Sequence, residues 1–125
     1  MPDDKKILII EDDKFLSEMY ATKLKEAGFE VEAAYDGEEG IYAAEEFNPD
    51  LILLDIVLPK MDGFEVMQKI RKNAGLKNII IIALTNLGQK EEVEKGLALG
   101  ANDYAIKAHF TPTEVVTKVK KLLNQ

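Results

Sequence analysis

The sequence predicts an α/β domain: a single (βα)5 doubly wound parallel sheet of five strands, with helices on both faces. Three observations carry that prediction. Short apolar runs alternate with helical patterns along the chain, as βα units feeding one parallel sheet do. Three of the runs, "ILII" (7–10), "LILLD" (51–55) and "IIIIAL" (79–84), are continuous rather than alternating, as expected of strands covered on both faces. The 125 residues are the size of one domain and suffice for a core.

The elements follow in order. "ILII" is the first strand. A helix from about Lys14 to Ala27 places Leu16, Met19, Tyr20, Leu24 and Ala27 on one stripe, and Gly28 supplies a left-handed C-terminal cap. "EVEAA" (30–34) alternates and reads as an edge strand. The second helix opens at Asp36 with Glu39 three residues on, a capping-box pattern. It stops near Asn48-Pro49, because proline disfavours a helical residue before it. After "LILLD", Asp62 and Glu65 repeat the capping pattern and open the third helix. After "IIIIAL", a fourth helix spans roughly Gln89 to Leu99 and Gly100 closes it. "YAI" (104–106) is the fifth strand. The fifth helix has Thr111 as cap, Pro112 at its first position and Glu114 at its third, with Val115, Val116, Val119, Leu122 and Leu123 as its apolar stripe. Residues 1–125 read as one unit without linker or repeat, and no output domain is expected.

Composition narrows the function classes. The chain is 46% hydrophobic and 31% charged, with a net charge of -7, which argues against direct DNA binding because that needs a basic footprint. Lys118, Lys120 and Lys121 form a late basic cluster that reads as a solvated helix face. There are no cysteines, so disulfides and thiolate metal sites are excluded. No apolar run reaches the ~18 residues of a membrane span, and "MPDDKK" is not signal-like. A cytoplasmic protein with no membrane insertion is expected.

In an open α/β sheet, ligands bind beyond the carboxyl ends of the strands. The first strand ends in Glu11-Asp12-Asp13, the third in Asp55, the fourth in Thr85 and the fifth in Lys107. Each has a plainer role on its own. Asp12 or Asp13 can cap the first helix, Asp55 can serve a turn before Pro59, Thr85 can open a loop, and Lys107 can be a solvated strand end. Their coincidence at one rim favours a site. Two carboxylates ~4 Å apart repel by about 4 kcal/mol at an effective dielectric near 20. Glu11, Asp12 and Asp55 carry three negative charges against the one positive charge of Lys107, so a divalent cation restores balance. An all-oxygen donor set suits Mg2+ (or Mn2+). A carboxylate beside such a metal and a lysine can attack phosphorus to give an aspartyl phosphate, with Thr85 and Lys107 binding the transferred oxygens.

On "ILIIEDD" (7–13), "PDLILLDIVLPKMDGFE" (49–65), Thr85 after "IIIIAL", and "GANDYAIK" (100–107), the chain resembles the response-regulator receiver domains of two-component signalling along its whole length. The resemblance implies a flavodoxin-like sheet of order 2-1-3-4-5. It implies Asp55 as the phosphoacceptor, Asp12 and more indirectly Glu11 as the Mg2+-binding acidic pair, and Val57 as the donor of a backbone carbonyl to the metal. Thr85 and Lys107 then hold the phosphoryl group, and Tyr104 is an aromatic switch that turns inward when Thr85 moves. The implied donor is a sensor histidine kinase or histidine phosphotransfer protein. The implied output is an unnamed partner reading the surface of the fourth helix, fifth strand and fifth helix, a face that also allows a homodimer.

The chain departs from that pattern at "KAHFTP", where Ala108 replaces the usual proline and His109 is an extra residue. A cis bond costs about 3–4 kcal/mol before alanine against 0.5–1 before proline, so a trans Lys107-Ala108 peptide is expected, with His109 a surface loop residue. Asn86 stands where the family favours a small residue. Gly40 and Gly96 lie inside predicted helices, each costing up to ~1 kcal/mol against alanine, with no functional reading. Val57 and Leu87 flank the implied phosphoryl site, and neither orients a hydrolytic water, so a long-lived acyl phosphate is expected.

Three other readings compete. A Mg2+-dependent aspartate-nucleophile phosphatase needs a second Asp two residues after the nucleophile, where Val57 stands. A flavin mononucleotide carrier needs a phosphate loop after the first strand, where "EDDKF" repels phosphate. The third is a degenerate receiver, a phosphate-independent interaction module.

Overall fold

A computed structural model describes residues 5–86 and 90–124. In chain order the elements are β1 (Lys6–Ile10), α1 (Lys14–Glu26), β2 (Glu30–Ala34), α2 (Gly37–Phe47), β3 (Leu51–Asp55), α3 (Gly63–Lys72), β4 (Ile80–Thr85), α4 (Lys90–Leu99), β5 (Asp103–Ile106) and α5 (Pro112–Leu122). A 3-10 turn, Lys107–His109, joins β5 to α5. The strands form one sheet in the order β2-β1-β3-β4-β5, and every pairing is parallel.

The continuous apolar runs are explained by two cores. Leu8, Ile10, Ile52, Leu54, Ile81 and Ala83 pack on one face with residues of α2 and α3, such as Ala44, Phe47, Val66 and Ile70. Ile7, Ile9, Leu51, Leu53, Ile82 and Leu84 pack on the other with Tyr20 and Leu24 of α1 and Val115 and Val119 of α5. Successive residues of a strand feed opposite faces, so a strand covered on both sides is apolar throughout. β2 alternates in exposure and lies at the sheet edge, as its sequence predicts.

The helix ends follow local chemistry. Asp13, Asp36, Asp62 and Thr111 accept from the backbone N–H three residues on. Only at Thr111 is the capping box reciprocal; Glu39 instead accepts from the Tyr35 N–H. Gly28 and Gly100 take the left-handed conformation, at φ +101° and +123°. β4 runs one residue later than expected and β5 begins one residue earlier. The expected start of the fourth helix, Gln89, lies outside the described residues.

Two expectations are corrected. Met19 lies on the predicted stripe of α1 but is 36% exposed, and Ser17 is buried in that helix instead. Lys118 is not simply solvated, since its Nζ pairs with Asp103 Oδ2 at 2.9 Å. Gly40, left unexplained by the sequence, sits where a Cβ would come within 2.6 Å of Ile10 Cδ1, so its absent side chain lets α2 close on β1. Gly96 has no such requirement, because a Cβ there would meet Ala83 and Phe64 at 3.8 Å.

At the amino ends of the strands, Arg71 binds four acceptors. Its guanidinium donates to the carbonyls of Gly100, Lys77 and Ile79 and to Asn102 Oδ1. At the carboxyl ends, a tight turn at Pro59–Met61 has Lys60 at φ +68°, with the Met61 N–H donating to the Pro59 carbonyl at 2.7 Å. A Cβ at Gly63 would run into the Asp55 carbonyl and Ile56, so glycine lets α3 start directly against the end of β3. No described helix is long and apolar enough to cross a membrane.

Candidate functional site

Asp55 ends β3 and is 2% exposed. Its Oδ1 accepts from the Val57 N–H at 2.9 Å, and its Oδ2 lies 3.0 Å from Lys107 Nζ. Glu11, directly after β1, is fully buried. Its Oε1 lies 2.9 Å from the same ammonium, and its Oε2 accepts from the Asp13 N–H at 3.0 Å. The strands supply this convergence: β1 and β3 are neighbours, and Lys107 reaches them across β4 from the turn after β5.

That turn resolves the question raised by "KAHF". No peptide among the described residues is cis, as expected for Lys107-Ala108. Residues 107–109 form a 3-10 turn closed by the Phe110 N–H on the Lys107 carbonyl at 3.3 Å. The geometry carries Lys107 inward and leaves His109 exposed.

Of the two acids after Glu11, Asp13 caps α1 through Leu16 N–H, while Asp12 is exposed. One carboxylate oxygen from each of Glu11, Asp12 and Asp55 falls within a 4.8 Å span. The set is all oxygen, with one member open to solvent. Three carboxylates and one ammonium sum to -2, which a divalent cation balances. The residues therefore fit a hard oxygen-seeking cation such as Mg2+.

Electrostatics records the strain of the uncompensated cluster. Burial pushes the Glu11 carboxyl up to about 7; the Asp13 N–H and Lys107 oppose this, and the Asp55 charge adds to it. Burial also works against the Lys107 charge, but the hydrogen bonds to Glu11 and Asp55 outweigh it and hold the ammonium above its ordinary value.

The remaining sequence candidates are placed as follows. Thr85 ends β4, is buried, and donates to the Ala105 carbonyl at 3.4 Å. Tyr104 on β5 is 39% exposed and Val57 51% exposed. Asn86 is exposed, and Leu87 lies outside the described residues. Sequence reasoning missed the neighbours that hold the cluster. Phe110 closes the turn of Lys107, and Tyr20, counted only as core, lies against Phe110 at 6.1 Å between ring centroids. It also missed a shallow groove of about 360 Å³ between α1 and the start of α5, lined by Phe15, Glu18, Met19, Thr22, Lys23 and Pro112. Phe15, at 76% exposed, is the signal in the sequence, an aromatic one residue into a capped helix and off its apolar stripe.

Known proteins share this fold and sequence. The family described as the response regulator receiver domain matches residues 7–120. The DNA-binding dual master transcriptional regulator RpaA of Synechocystis is 40% identical over 120 residues, 96% of this chain and 49% of that protein. The chain spans about half the length of the curated relatives it matches. Among solved structures, the chemotaxis response regulator CheY4 of Vibrio cholerae superposes with a TM-score of 0.89 at 30% identity, covering 96% of this chain and 99% of that one. A CheY-like receiver domain protein from Methanospirillum hungatei gives 0.89 at 31%, covering 98% and 95%. With its sheet order, its acid and lysine cluster and its sequence in agreement, the chain belongs to the response regulator receiver domain family.

Proposed function

We propose that this domain is a phosphorylation-dependent switch whose acceptor is Asp55. The observation that carries this reading is the single Lys107 ammonium held 3.0 Å from Asp55 and 2.9 Å from Glu11 at the carboxyl rim, beside the exposed Asp12. Glu11, Asp12, Asp55 and the Val57 carbonyl would hold Mg2+, which supplies charge neutralisation at the phosphoryl group. An Asp55 carboxylate oxygen bonds to phosphorus as the phosphorus–nitrogen bond of a phosphohistidine breaks, and the imidazole leaves with that electron pair. Lys107 then pairs with the phosphoryl oxygens. The acyl phosphate carries about -2 where the carboxylate carried -1. The Thr85 hydroxyl exchanges the Ala105 carbonyl for a phosphoryl oxygen, and Tyr104 turns from its exposed position into the space beside it.

The donor is a sensor histidine kinase or phosphotransfer protein acting in the cytoplasm. The apolar groove at Phe15 and Met19, on the helix that directly follows Glu11-Asp12-Asp13, supports a docking contact there. The output surface is that of α4, β5 and α5, read by an output partner or by a second copy through that face. The DNA binding named for the Synechocystis relative is a property of that longer protein; the acidic charge of this domain gives it no DNA surface of its own. Val57, and Leu87 by its sequence position, supply no group to orient a hydrolytic water, so the phosphate is long-lived.

Intact mass after acetyl phosphate or phosphoramidate tests the reading, with Mg2+ or EDTA, for the parent and Asp55→Asn. A metal-dependent phosphate adduct missing in the variant is expected. No adduct with any donor would leave a phosphate-independent interaction module.

A further inference from the structure

Two hydroxyls of α1, Ser17 Oγ and that of Tyr20, are buried without a hydrogen-bond partner among the described residues. Glu11 Oε1 is paired by charge with Lys107 at 2.9 Å but has a lone pair to spare. Ser17 and Tyr20 are three residues apart on α1 and therefore share a face. Helical side chains lean toward the helix N-terminus, and α1 starts just after Glu11. The fully buried Tyr20 thus aims its phenol back at the carboxyl end of β1. Burial pushes that phenol up to about 12, and Glu11 is the foremost charge acting on it. A buried hydroxyl without a partner is rare, and an enclosed water is the usual remedy where several polar atoms converge.

We propose that Tyr20 is a positioning residue for the acid and lysine cluster. Its hydroxyl, with that of Ser17, serves Glu11 Oε1 through one enclosed water. The water adds a second donor at Glu11 Oε1, beside the Lys107 ammonium, and fixes the plane of the carboxylate. The ring acts at a second point, edge-on to Phe110 at 6.1 Å and 61°, where it supports the turn that carries Lys107. Tyr20 thus steadies from beneath both groups that flank Asp55. This inference rests on the metal-assisted reading of the site only for its consequence, not for the contact itself.

The test uses the whole chain with a carbon-13 label at tyrosine Cζ, whose shift reports hydrogen bonding of the hydroxyl. The four tyrosines give four signals, and Tyr20→Phe identifies the one from Tyr20. That signal should move in Glu11→Gln and again on adding Mg2+ to the parent. Tyr20→Phe keeps the ring and should fold normally, yet its half-saturating Mg2+ concentration should rise roughly tenfold, as for loss of a partner behind a metal ligand. Its KM for acetyl phosphate at saturating Mg2+ should not change. A Tyr20 signal indifferent to Glu11→Gln, with Mg2+ affinity unchanged in Tyr20→Phe, would overturn the proposal. A parent that takes no Mg2+ would overturn the metal reading instead, and the Glu11→Gln comparison would still decide the contact.

Discussion

Lys107 and Asp55, fifty-two positions apart, meet at 3.0 Å because the chain winds β5 to the far side of β4 and turns the lysine back across it. The same ammonium lies 2.9 Å from Glu11, so one cation serves two buried acids. Removing it leaves both uncompensated. Breaking a buried pair costs roughly 3–5 kcal/mol, less where the lysine is partly exposed and one acid can take up a proton. Lys107→Met should therefore lower metal-free stability by about 2 kcal/mol. It should also tighten Mg2+ binding, since the competing ammonium is gone. Urea unfolding in EDTA and in Mg2+ checks both, and identical midpoints for variant and parent in EDTA would refute the first.

The pH dependence follows from Glu11. Its carboxyl rises from 4.5 unfolded to about 7 in the fold, mainly through burial. The folded state therefore binds its proton more tightly. The associated stability is fully present below pH 4.5 and is lost as pH rises through 7, a change of about 3 kcal/mol at most. Lys107 is held above its ordinary value and stays charged throughout that window. Metal-free protein should thus unfold at lower urea at pH 7.5 than at pH 5. Glu11→Gln should flatten the curve, and Mg2+ should counter the loss. A profile identical in parent and Glu11→Gln would remove Glu11 as its source.

Two helical glycines should behave oppositely. At Gly96 a Cβ finds ordinary contacts at 3.8 Å, so Gly96→Ala should stabilise by about 0.5–1 kcal/mol through lower unfolded-state entropy. At Gly40 the new methyl meets Ile10 Cδ1 at 2.6 Å, and Gly40→Ala should destabilise by about 1–3 kcal/mol through overpacking. Urea midpoints with unchanged slopes would read both effects, and a destabilised Gly96→Ala would contradict the packing seen around α4.

Arg71 ties the end of α3 to the approaches of β4 and β5 through three backbone carbonyls and Asn102. Arg71→Met strands those carbonyls. It should cost about 2–4 kcal/mol, given roughly 1.5–3 for a hydrogen bond to a charged group and partial access to water. Because the clamp sits at the strand ends opposite Asp55, phosphorylation per folded molecule should be unchanged. A stable variant with slow phosphorylation would reverse that assignment.

The fold was legible because three strands are apolar on both faces, a pattern few other arrangements require. The rim acids were legible because strand ends are fixed once strands are. What the sequence withheld was geometry between elements. Asp12 and Asp13 are equally plausible caps on paper, and only the entry angle of α1 gives the cap to Asp13. The turn "KAHF" has no sequence signature that fixes where Lys107 points; the 3-10 turn and the Tyr20–Phe110 contact decide it. Gly40 is explained only by the closeness of α2 to Ile10, a distance no single helix encodes. Arg71 reads as one of several basic residues ending α3, and its acceptors come from two separate loops, α3–β4 and α4–β5.

The last prediction concerns the lifetime of the acyl phosphate. Val57 is 51% exposed, and its N–H already binds Asp55 Oδ1 at 2.9 Å, which places its side chain at the mouth of the site. Hydrolysis needs a water aligned behind phosphorus, and full general-base assistance to such a water is worth roughly 10²–10⁴-fold. A valine side chain neither donates nor accepts, so it leaves that water unguided. Val57→Asn adds both functions while keeping the backbone N–H on Asp55. Loss of phosphate, followed by intact mass after donor removal, should quicken by about tenfold, below that range because an amide orients the water without taking its proton. The rate of phosphorylation should change less, because attack by Asp55 uses no water. Equal lifetimes in parent and variant would sink the idea that Val57 protects the phosphate, leaving hydrolysis governed by groups elsewhere on the rim.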